Sequence, residues 1–135
     1  MIVYKIENDL NADEFRAVLK NSTLGARRPV NEPERLQKMV EHANLIITAR
    51  EEGKLIGVSR SLTDFAFCTY LSDLAVDEAY QKQGIGTELI RQTKLAAPDA
   101  RVILLAAPAA TRYYPKIGMK QFEHCYYLDD ISELR

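Results

Sequence analysis

The sequence predicts a mixed α/β fold in which helices flank a mostly antiparallel sheet that has one parallel pair of strands at its centre. A strand pattern at 67–76 continues through a glycine-containing turn into a helix pattern and then into an apolar strand at 101–106, an order typical of parallel strands joined by a helix. The segment 45–62 has the pattern of a hairpin. The length of 135 residues fits one core. We therefore expect a single domain over residues 1–135.

The composition excludes several classes of protein. Apolar residues make up 47% and charged residues 27%, and the net charge is -1, so no basic surface for nucleic acid or an acidic membrane is expected. No apolar window reaches the length that spans a bilayer. Cys68 and Cys125 lie far apart without metal-type spacing, which predicts small core residues of a reduced, cytoplasmic protein that has no metal site.

The N-terminal half predicts a strand, two helices and a hairpin. Residues 2–6 alternate like a strand, and Asn11 is a good N-cap for the helix that follows. A loop at 21–30 leads to a second helix that begins near Asn31 or Pro33. The hairpin turns at 51–53. The helix side chains expected to face the core are Phe15, Val18, Leu19, Leu36, Met39 and Val40.

The C-terminal half predicts a strand, a helix stopped by Pro98, a buried strand at 101–106, a short helix at 109–115 and a last strand at 121–128. Gly118 is expected as the left-handed C-cap of the short helix. Period-two alternation divides the strand at 67–76 into two faces, one with Tyr70, Ser72, Leu74 and Val76 and the other with Leu71, Asp73 and Ala75.

The turn between the strand at 67–76 and its helix predicts an anion site. Residues 84–87 fall on the first helical turn, where backbone N–H groups have no intrahelical acceptor and the helix dipole is positive. Gly84 and Gly86 remove the side chains that would hold a phosphate away from those amides. A dinucleotide fingerprint does not fit, because its third glycine position holds Leu89.

The pattern Gln81-x-x-Gly84-x-Gly86 resembles the acyl-coenzyme A signature of the GCN5-related N-acetyltransferase (GNAT) superfamily. A second stretch, 110–119, is similar to the family's element of alanine, an aromatic pair and glycine. The resemblance implies the family's fold, with a sheet splayed at its parallel pair, and acetyl-coenzyme A as co-substrate. The cofactor-binding residues that it implies are Leu74, Ala75, Val76, Gln81, Lys82, Gln83, Gly84, Ile85, Gly86, Thr87 and Tyr114.

The same resemblance implies catalytic roles. Tyr114 matches the tyrosine that protonates the departing thiolate in many members, and backbone groups at 74–76 would hold the acetyl carbonyl. The chain departs from the family at Ala107, where many members have asparagine, and at Tyr70, where the histone-modifying branch has a glutamate base. Asp73 and Glu78 are the nearby carboxylates that we expect as candidate bases.

The acceptor side is expected on the first two helices and the loop between them. Arg27 and Arg28 in that loop suit a carboxylate on a small substrate, and Tyr70 is the third candidate substrate residue. The expected activity is acetyl transfer to the primary amine of a small molecule, by direct attack in a ternary complex. The alternatives are an acyl-coenzyme A sensor without activity and a protein-lysine acetyltransferase. The oligomeric state stays open, with a homodimer as one option.

Overall fold

The structure is a computed structural model that describes all residues 1–135. The chain forms two compact units, Met1–Leu105 and Ala106–Arg135. The strands are β1 (Ile2–Ile6), β2 (Leu45–Glu51), β3 (Lys54–Thr63), β4 (Cys68–Val76) and β5 (Arg101–Ile103), and the α-helices are α1 (Ala12–Lys20), α2 (Pro33–His42), α3 (Ile85–Ala96) and, in the second unit, α4 (Tyr113–Lys116). The expectation of one domain over the whole chain stays a prediction.

The five strands of the first unit form one sheet in the order β1-β2-β3-β4-β5. All neighbours are antiparallel except β4 and β5, which are parallel, so the predicted mixed sheet is confirmed. The parallel pair was predicted at the centre of the sheet but lies at one edge, because no further strand pairs with β5. The β2–β3 hairpin is also confirmed. Its turn residues Glu52 and Gly53 both have positive φ angles, of 49° and 82°, which match the right-handed twist of the two strands.

The helices of the first unit cover both faces of the sheet. Helices α1 and α2 pack on one face around Phe15, Leu19 and Leu36, and α3 packs on the other through Ile85 and Leu89. Phe15, Leu19 and Leu36 are among the inward side chains predicted from the helical spacing. The N-cap of α1 is also confirmed, because the Asn11 side chain accepts hydrogen bonds from the N–H groups of Asp13 at 2.7 Å and Glu14 at 3.2 Å.

Strand β4 alternates as predicted but contains one extra residue. Leu71, Asp73 and Ala75 are buried, whereas the residues between them are only half-buried. In the pairing with β3, Arg60 lies opposite Asp73 and the next residue lies opposite Leu71, so Ser72 has no partner. Ser72 is therefore the extra residue of a β-bulge, which bends a strand and redirects its side chains.

Two further expectations were wrong. The apolar strand at 101–106 is short and largely exposed, because β5 is the edge of the sheet and has only β4 beside it. Cys68 and Cys125 are free but exposed, not small core residues. Cys68 begins β4 on the same face as the exposed Tyr70, and its position on the strand decides its exposure.

The second unit contains α4 and two short 3-10 turns but no strand. The short helix predicted at 109–115 is divided between a 3-10 turn at Pro108–Ala110 and α4. Gly118 caps α4 as predicted, with a φ of 100° and a hydrogen bond from the N–H of Met119 to the carbonyl of Tyr114 at 3.0 Å.

The prediction of a last strand at 121–128 was wrong. Its alternating aromatic residues, such as Phe122 and Tyr126, are exposed, and the segment is not among the hydrogen-bonded strands of the sheet. An alternating pattern describes the faces of a strand but does not provide the partner that a strand needs. The longest helix, α3, has 12 residues, and none has the length and apolarity to cross a bilayer.

Candidate functional site

The C-terminal end of β4 leads into α3 through a turn that is fixed by backbone hydrogen bonds. The Asp77 N–H donates to the carbonyl of Ile56 at 2.8 Å, and the Asp77 carboxylate accepts from the N–H of Ala79 at 2.9 Å. The Glu78 N–H donates to the carbonyl of Asn21, at the end of α1, at 2.9 Å. The segment that approaches the predicted anion site is therefore held to both β3 and α1.

Residues 81–84 form the loop that reverses the chain before α3. The amide of Gln81 donates from Nε2 to the carbonyl of Val76 at 3.2 Å, so this side chain bonds to the end of β4. Lys82 and Gly84 both have left-handed backbones, with φ angles of 64° and 80°. A non-glycine residue in this region stores about 1 kcal/mol or more, and such strain concentrates at functional sites.

Gly84 is the N-cap of α3, and its backbone angle explains why glycine is required there. A Cβ atom on Gly84 would meet no other atom within 4 Å, so the space beside the start of the helix is open. The helix then begins with Ile85, Gly86 and Thr87. The positive end of the helix dipole and the first-turn amides make this region suitable for an anion.

Gly57 of β3 is a site-forming residue that the sequence reasoning missed. A Cβ on Gly57 would lie 3.1 Å from both Ile85 Cγ2 and Leu89 Cδ1, so glycine allows the start of α3 to pack close to the sheet. An isolated glycine inside a strand pattern signals such a close approach, and this signal is present in the hairpin sequence.

The β4 strand is open on the side of β5 next to this helix start. Its ladder with β5 runs from Cys68 opposite Arg101 to Tyr70 opposite Ile103 and stops there. Residues 71–76 continue alongside β3 without a partner from β5. Backbone groups of β4 that point toward this gap are available to a ligand, as they are at any sheet edge.

One carboxylate lies on the first turns of α3, and its charge is locally compensated. Glu88 accepts hydrogen bonds from Gln92 at 2.7 Å and from Arg91. The hydrogen bond from Gln92, followed by that from Arg91, holds the pKa of Glu88 below its usual value of 4.5. Because Arg91 neutralises this ionised group, Glu88 opposes an anion at the helix start less than a free carboxylate would.

A cluster of charged residues lies on the opposite face of β4, below α1 and α2. Asp73 is fully buried, and its two carboxylate oxygens accept hydrogen bonds from the Nε atoms of Arg28 and Arg60. Arg28 also donates to the carbonyl of Ser72 at 2.7 Å, and Arg60 donates to the Ser72 hydroxyl at 2.9 Å. Asp73 and Arg28 thus contact each other.

The remaining predicted residues lie apart from this cluster. Arg27 is exposed and its side chain makes no ion pair, and Glu78 is exposed on the turn before α3. Tyr70 is 41% exposed on β4, on the part that is paired with β5. Tyr114 lies on α4 in the second unit, and its ring is edge-on to that of Tyr113, with centroids 5.1 Å apart.

Comparison with known proteins identifies the family. Residues 18–132 match the profile of the acetyltransferase (GNAT) domain, which is most of the chain. The chain belongs to the GNAT acetyltransferase family. A curated relative, histone acetyltransferase TAP1 of Glycine max, is 33% identical over 73 residues, which cover 52% of this chain and 32% of that protein. The aligned part is thus about a third of the relative's length.

Solved structures show that this GNAT chain has the family's fold. A GNAT family acetyltransferase of Streptococcus pneumoniae superposes with a TM-score of 0.77 at 21% identity, over 97% of this chain and 98% of that one. An aminoglycoside N-acetyltransferase in complex with coenzyme A superposes with a TM-score of 0.73 at 13% identity, over 97% and 95% of the two chains. Identities this low support the fold and not the substrate.

Proposed function

We propose that the protein transfers the acetyl group of acetyl-coenzyme A to the primary amine of a small molecule, by direct attack in a ternary complex. The observation that carries this proposal is that the open part of β4 leads directly into the turn at the start of α3. The open part of β4 at 71–76 ends eight residues before the left-handed Gly84, which is the N-cap of α3. A ligand with an extended arm and an anionic group fits such an arrangement.

The residues at the start of α3 fit the pyrophosphate of coenzyme A. The open space beside Gly84 admits a phosphate group, and the first-turn amides of Ile85 and Gly86 lie at the positive end of the helix. Lys82 and Gln83 are exposed on the same loop, where they are available to phosphate oxygens. Bound there, acetyl-coenzyme A would supply an acetyl thioester that is activated toward amines.

We propose that backbone N–H groups at 74–76 polarise the thioester carbonyl, since donors that point at a developing negative charge lower the barrier. Glu78 takes the role of base, through water, because it is exposed beside the same strand end. Asp73 is less suited to that role, since both of its oxygens are bonded to arginines. Tyr114 Oη supplies the proton to the departing thiolate.

The acceptor class rests on the neighbours and on the acceptor-side loop. A small amine acceptor is compatible with this fold, because aminoglycoside N-acetyltransferases share it, one of them in complex with sisomicin. Arg27 and Tyr70 are the exposed candidates for contacts with such a substrate, whereas Arg28 is occupied by Asp73. The second candidate acceptor is a protein lysine, which the local identity to a plant histone acetyltransferase favours.

The experiment is a thiol-release assay with acetyl-coenzyme A and a panel of amines: kanamycin, spermidine, free lysine and a lysine-containing histone H3 peptide. We expect coenzyme A release that depends on a small amine and exceeds the amine-free background. If the peptide is the only member of the panel that causes release, the proposed acceptor is a protein lysine and not a small molecule. Calorimetric binding of acetyl-coenzyme A without any amine-dependent release would instead support a sensor module.

A further inference from the structure

We propose that Arg28, Asp73 and Arg60 form a clamp that fixes the β-bulge at Ser72, and that this clamp positions the open part of β4 for the thioester. The three residues are called the bulge clamp below. The inference rests on the proposed function, since it assigns these residues a role in the same reaction. They are positioning residues, because they act through the backbone of β4.

The contacts converge on the extra residue of the bulge from two sides. Arg28 comes from the segment between α1 and α2, and its Nη2 donates to the carbonyl of Ser72 at 2.7 Å. Arg60 comes from β3, and its Nη2 donates to the Ser72 hydroxyl at 2.9 Å. Both guanidinium groups also bond through Nε to the same carboxylate, that of Asp73. One buried anion thereby sets the orientation of both arginines.

The clamp buries three charged groups, which costs hydration free energy. A role in positioning β4 accounts for this cost. Asp73 is 0% exposed, and the side chains of Arg60 and Arg28 are only 8% and 21% exposed. Removing such charges from water offsets much of the attraction between them, so a buried ion cluster is weak evidence for added stability. Apolar residues of similar volume would fill the same space. What they could not do is bond to both the carbonyl and the hydroxyl of Ser72.

The position of the bulge links the clamp to the reaction. The ladder of β4 with β5 ends at Tyr70, and the open part of the strand begins at residue 71. Ser72 therefore lies at the start of the segment whose backbone groups face the gap. A bulge changes the direction of the strand beyond it, so a bulge that shifts would move the N–H groups at 74–76. A misplacement of about 1 Å can reduce turnover roughly a hundredfold.

The clamp also connects the bulge to the acceptor side. Arg60 Nη1 donates to the carbonyl of Met39 in α2 at 3.1 Å, and Arg28 Nη1 donates to the carbonyl of Arg27 at 2.9 Å. The loop between the helices and α2 are thus bonded to the groups that hold Ser72. The start of α3 lies on the other face of the sheet and takes no part in these contacts. Loosening the clamp should therefore spare cofactor affinity.

The test uses Arg28→Lys, which keeps the positive charge beside Asp73 but cannot bond to two acceptors with a planar fork. Arg35→Lys is the matched control, because Arg35 of α2 is exposed, pairs only with Glu32 at the surface and makes no contact with the clamp. Ser72→Ala is a second variant that removes only the hydroxyl contact with Arg60. Three quantities are measured for each protein: amide hydrogen exchange, the Kd of acetyl-coenzyme A, and kcat with the best amine of the panel.

For Arg28→Lys we expect amide exchange in the segment 71–76 to accelerate about tenfold and kcat to fall about tenfold or more, with Kd within about threefold of the wild type. Ser72→Ala should give the same changes at smaller size, and Arg35→Lys should give none. Unchanged exchange at 71–76 would overturn the proposal. So would a fall in kcat that is matched by weaker binding and by faster exchange throughout the sheet, since that pattern shows a general loss of stability.

The experiments distinguish a failure of the proposed function from a failure of the bulge clamp. If the wild-type protein shows no amine-dependent turnover, the proposed function fails, and the exchange measurement alone decides whether the clamp holds the bulge. Accelerated exchange confined to 71–76 then supports the clamp without the reaction. If the wild type is active and Arg28→Lys retains full kcat, the clamp fails and the proposed function stands.

Discussion

The two faces of β4 use different chemistry. On the side of α3, the proposed donor site consists of backbone groups, with Gly84 and Gly86 in place of side chains. On the side of α1 and α2, the strand is held by charged side chains that converge on Asp73. The donor site is assembled from neighbours in sequence, whereas the bulge clamp joins residues that lie 45 positions apart.

Because of this difference, substitutions on the two faces of β4 should affect different properties of the protein. A site of backbone amides at a helix start recognises the charge and shape of a phosphate, which every acyl-coenzyme A carries. A cluster of side chains can change without altering that recognition. We therefore expect changes near α3 to affect cofactor affinity and changes at the clamp to affect turnover. The following predictions test that separation from the donor side, in order of decreasing effect.

The largest expected effect is that of Gly86→Asp at the start of α3. A carboxylate there would lie close to the proposed pyrophosphate, and repulsion at about 4 Å costs roughly 4 kcal/mol at an effective dielectric constant near 20. We expect acetyl-coenzyme A affinity to fall by at least a factor of about a hundred, as measured by calorimetry. Gly86→Asn has nearly the same size without the charge and should lose less. Equal affinity of Gly86→Asp and the wild type would remove the site assignment.

Tyr114→Phe tests the proposed acid, which lies in the second unit. A general acid contributes about a hundredfold or more to the rate, so we expect kcat to fall by about that factor while the Kd of acetyl-coenzyme A is retained. Steady-state kinetics and calorimetry measure the two quantities. Tyr113→Phe is the adjacent control and should retain turnover. A Tyr114→Phe enzyme with wild-type kcat would show that another group, or water, protonates the thiolate.

Gly57→Ala should moderately lower both the stability of the protein and its affinity for acetyl-coenzyme A. The new methyl group would lie 3.1 Å from side-chain atoms of Ile85 and Leu89, and overpacking of this kind costs about 1–3 kcal/mol. Alanine in a strand recovers about 0.5–1 kcal/mol relative to glycine, so the net loss should be about 1 kcal/mol in urea denaturation. Because the start of α3 moves, acetyl-coenzyme A binding should weaken several-fold. Loss of stability with unchanged binding would show that Gly57 does not influence the donor site.

The smallest effect is expected for Lys82→Gly in the loop before α3. Lys82 has a φ of 64°, a left-handed conformation that costs a non-glycine residue about 1–2 kcal/mol. Glycine removes that strain but loses more chain entropy on folding, so we expect a net gain of about 0.5–1 kcal/mol in the free energy of unfolding. Affinity for acetyl-coenzyme A should fall only about threefold, because an exposed ammonium–phosphate pair contributes about 0.2–1 kcal/mol. Unchanged affinity would show that the ammonium group does not bind phosphate.

The sequence predicted the parts of the molecule that depend on local pattern. The cap at Asn11, the hairpin turn and the left-handed Gly118 each follow from the conformational preference of one or two residues. The helix start at Gly84 follows in the same way. What the sequence could not provide was partners distant in the chain. The ion pairs of Asp73 and the unpaired Ser72 depend on how β3 and β4 align, which no local pattern specifies.

The failed prediction of a strand at 121–128 has the same physical origin. Its alternation was sufficient for a strand, but a strand exists only where another one accepts its hydrogen bonds. Tyr114 was predicted from a resemblance between short motifs, and its role depends on the same kind of long-range placement. Its assignment therefore stays a prediction, and the kinetic test above is the means of deciding it.

The account depends most on the location of the donor site, which an NMR titration of the wild-type protein with coenzyme A tests directly. We predict large amide shift changes for Val76, Gly84, Ile85 and Gly86, which belong to the end of β4 and the start of α3. Amides of β1, at the far edge of the sheet, should remain unchanged. Saturable shifts confined to other parts of the chain, with Gly84 and Gly86 unaffected, would contradict the proposed site.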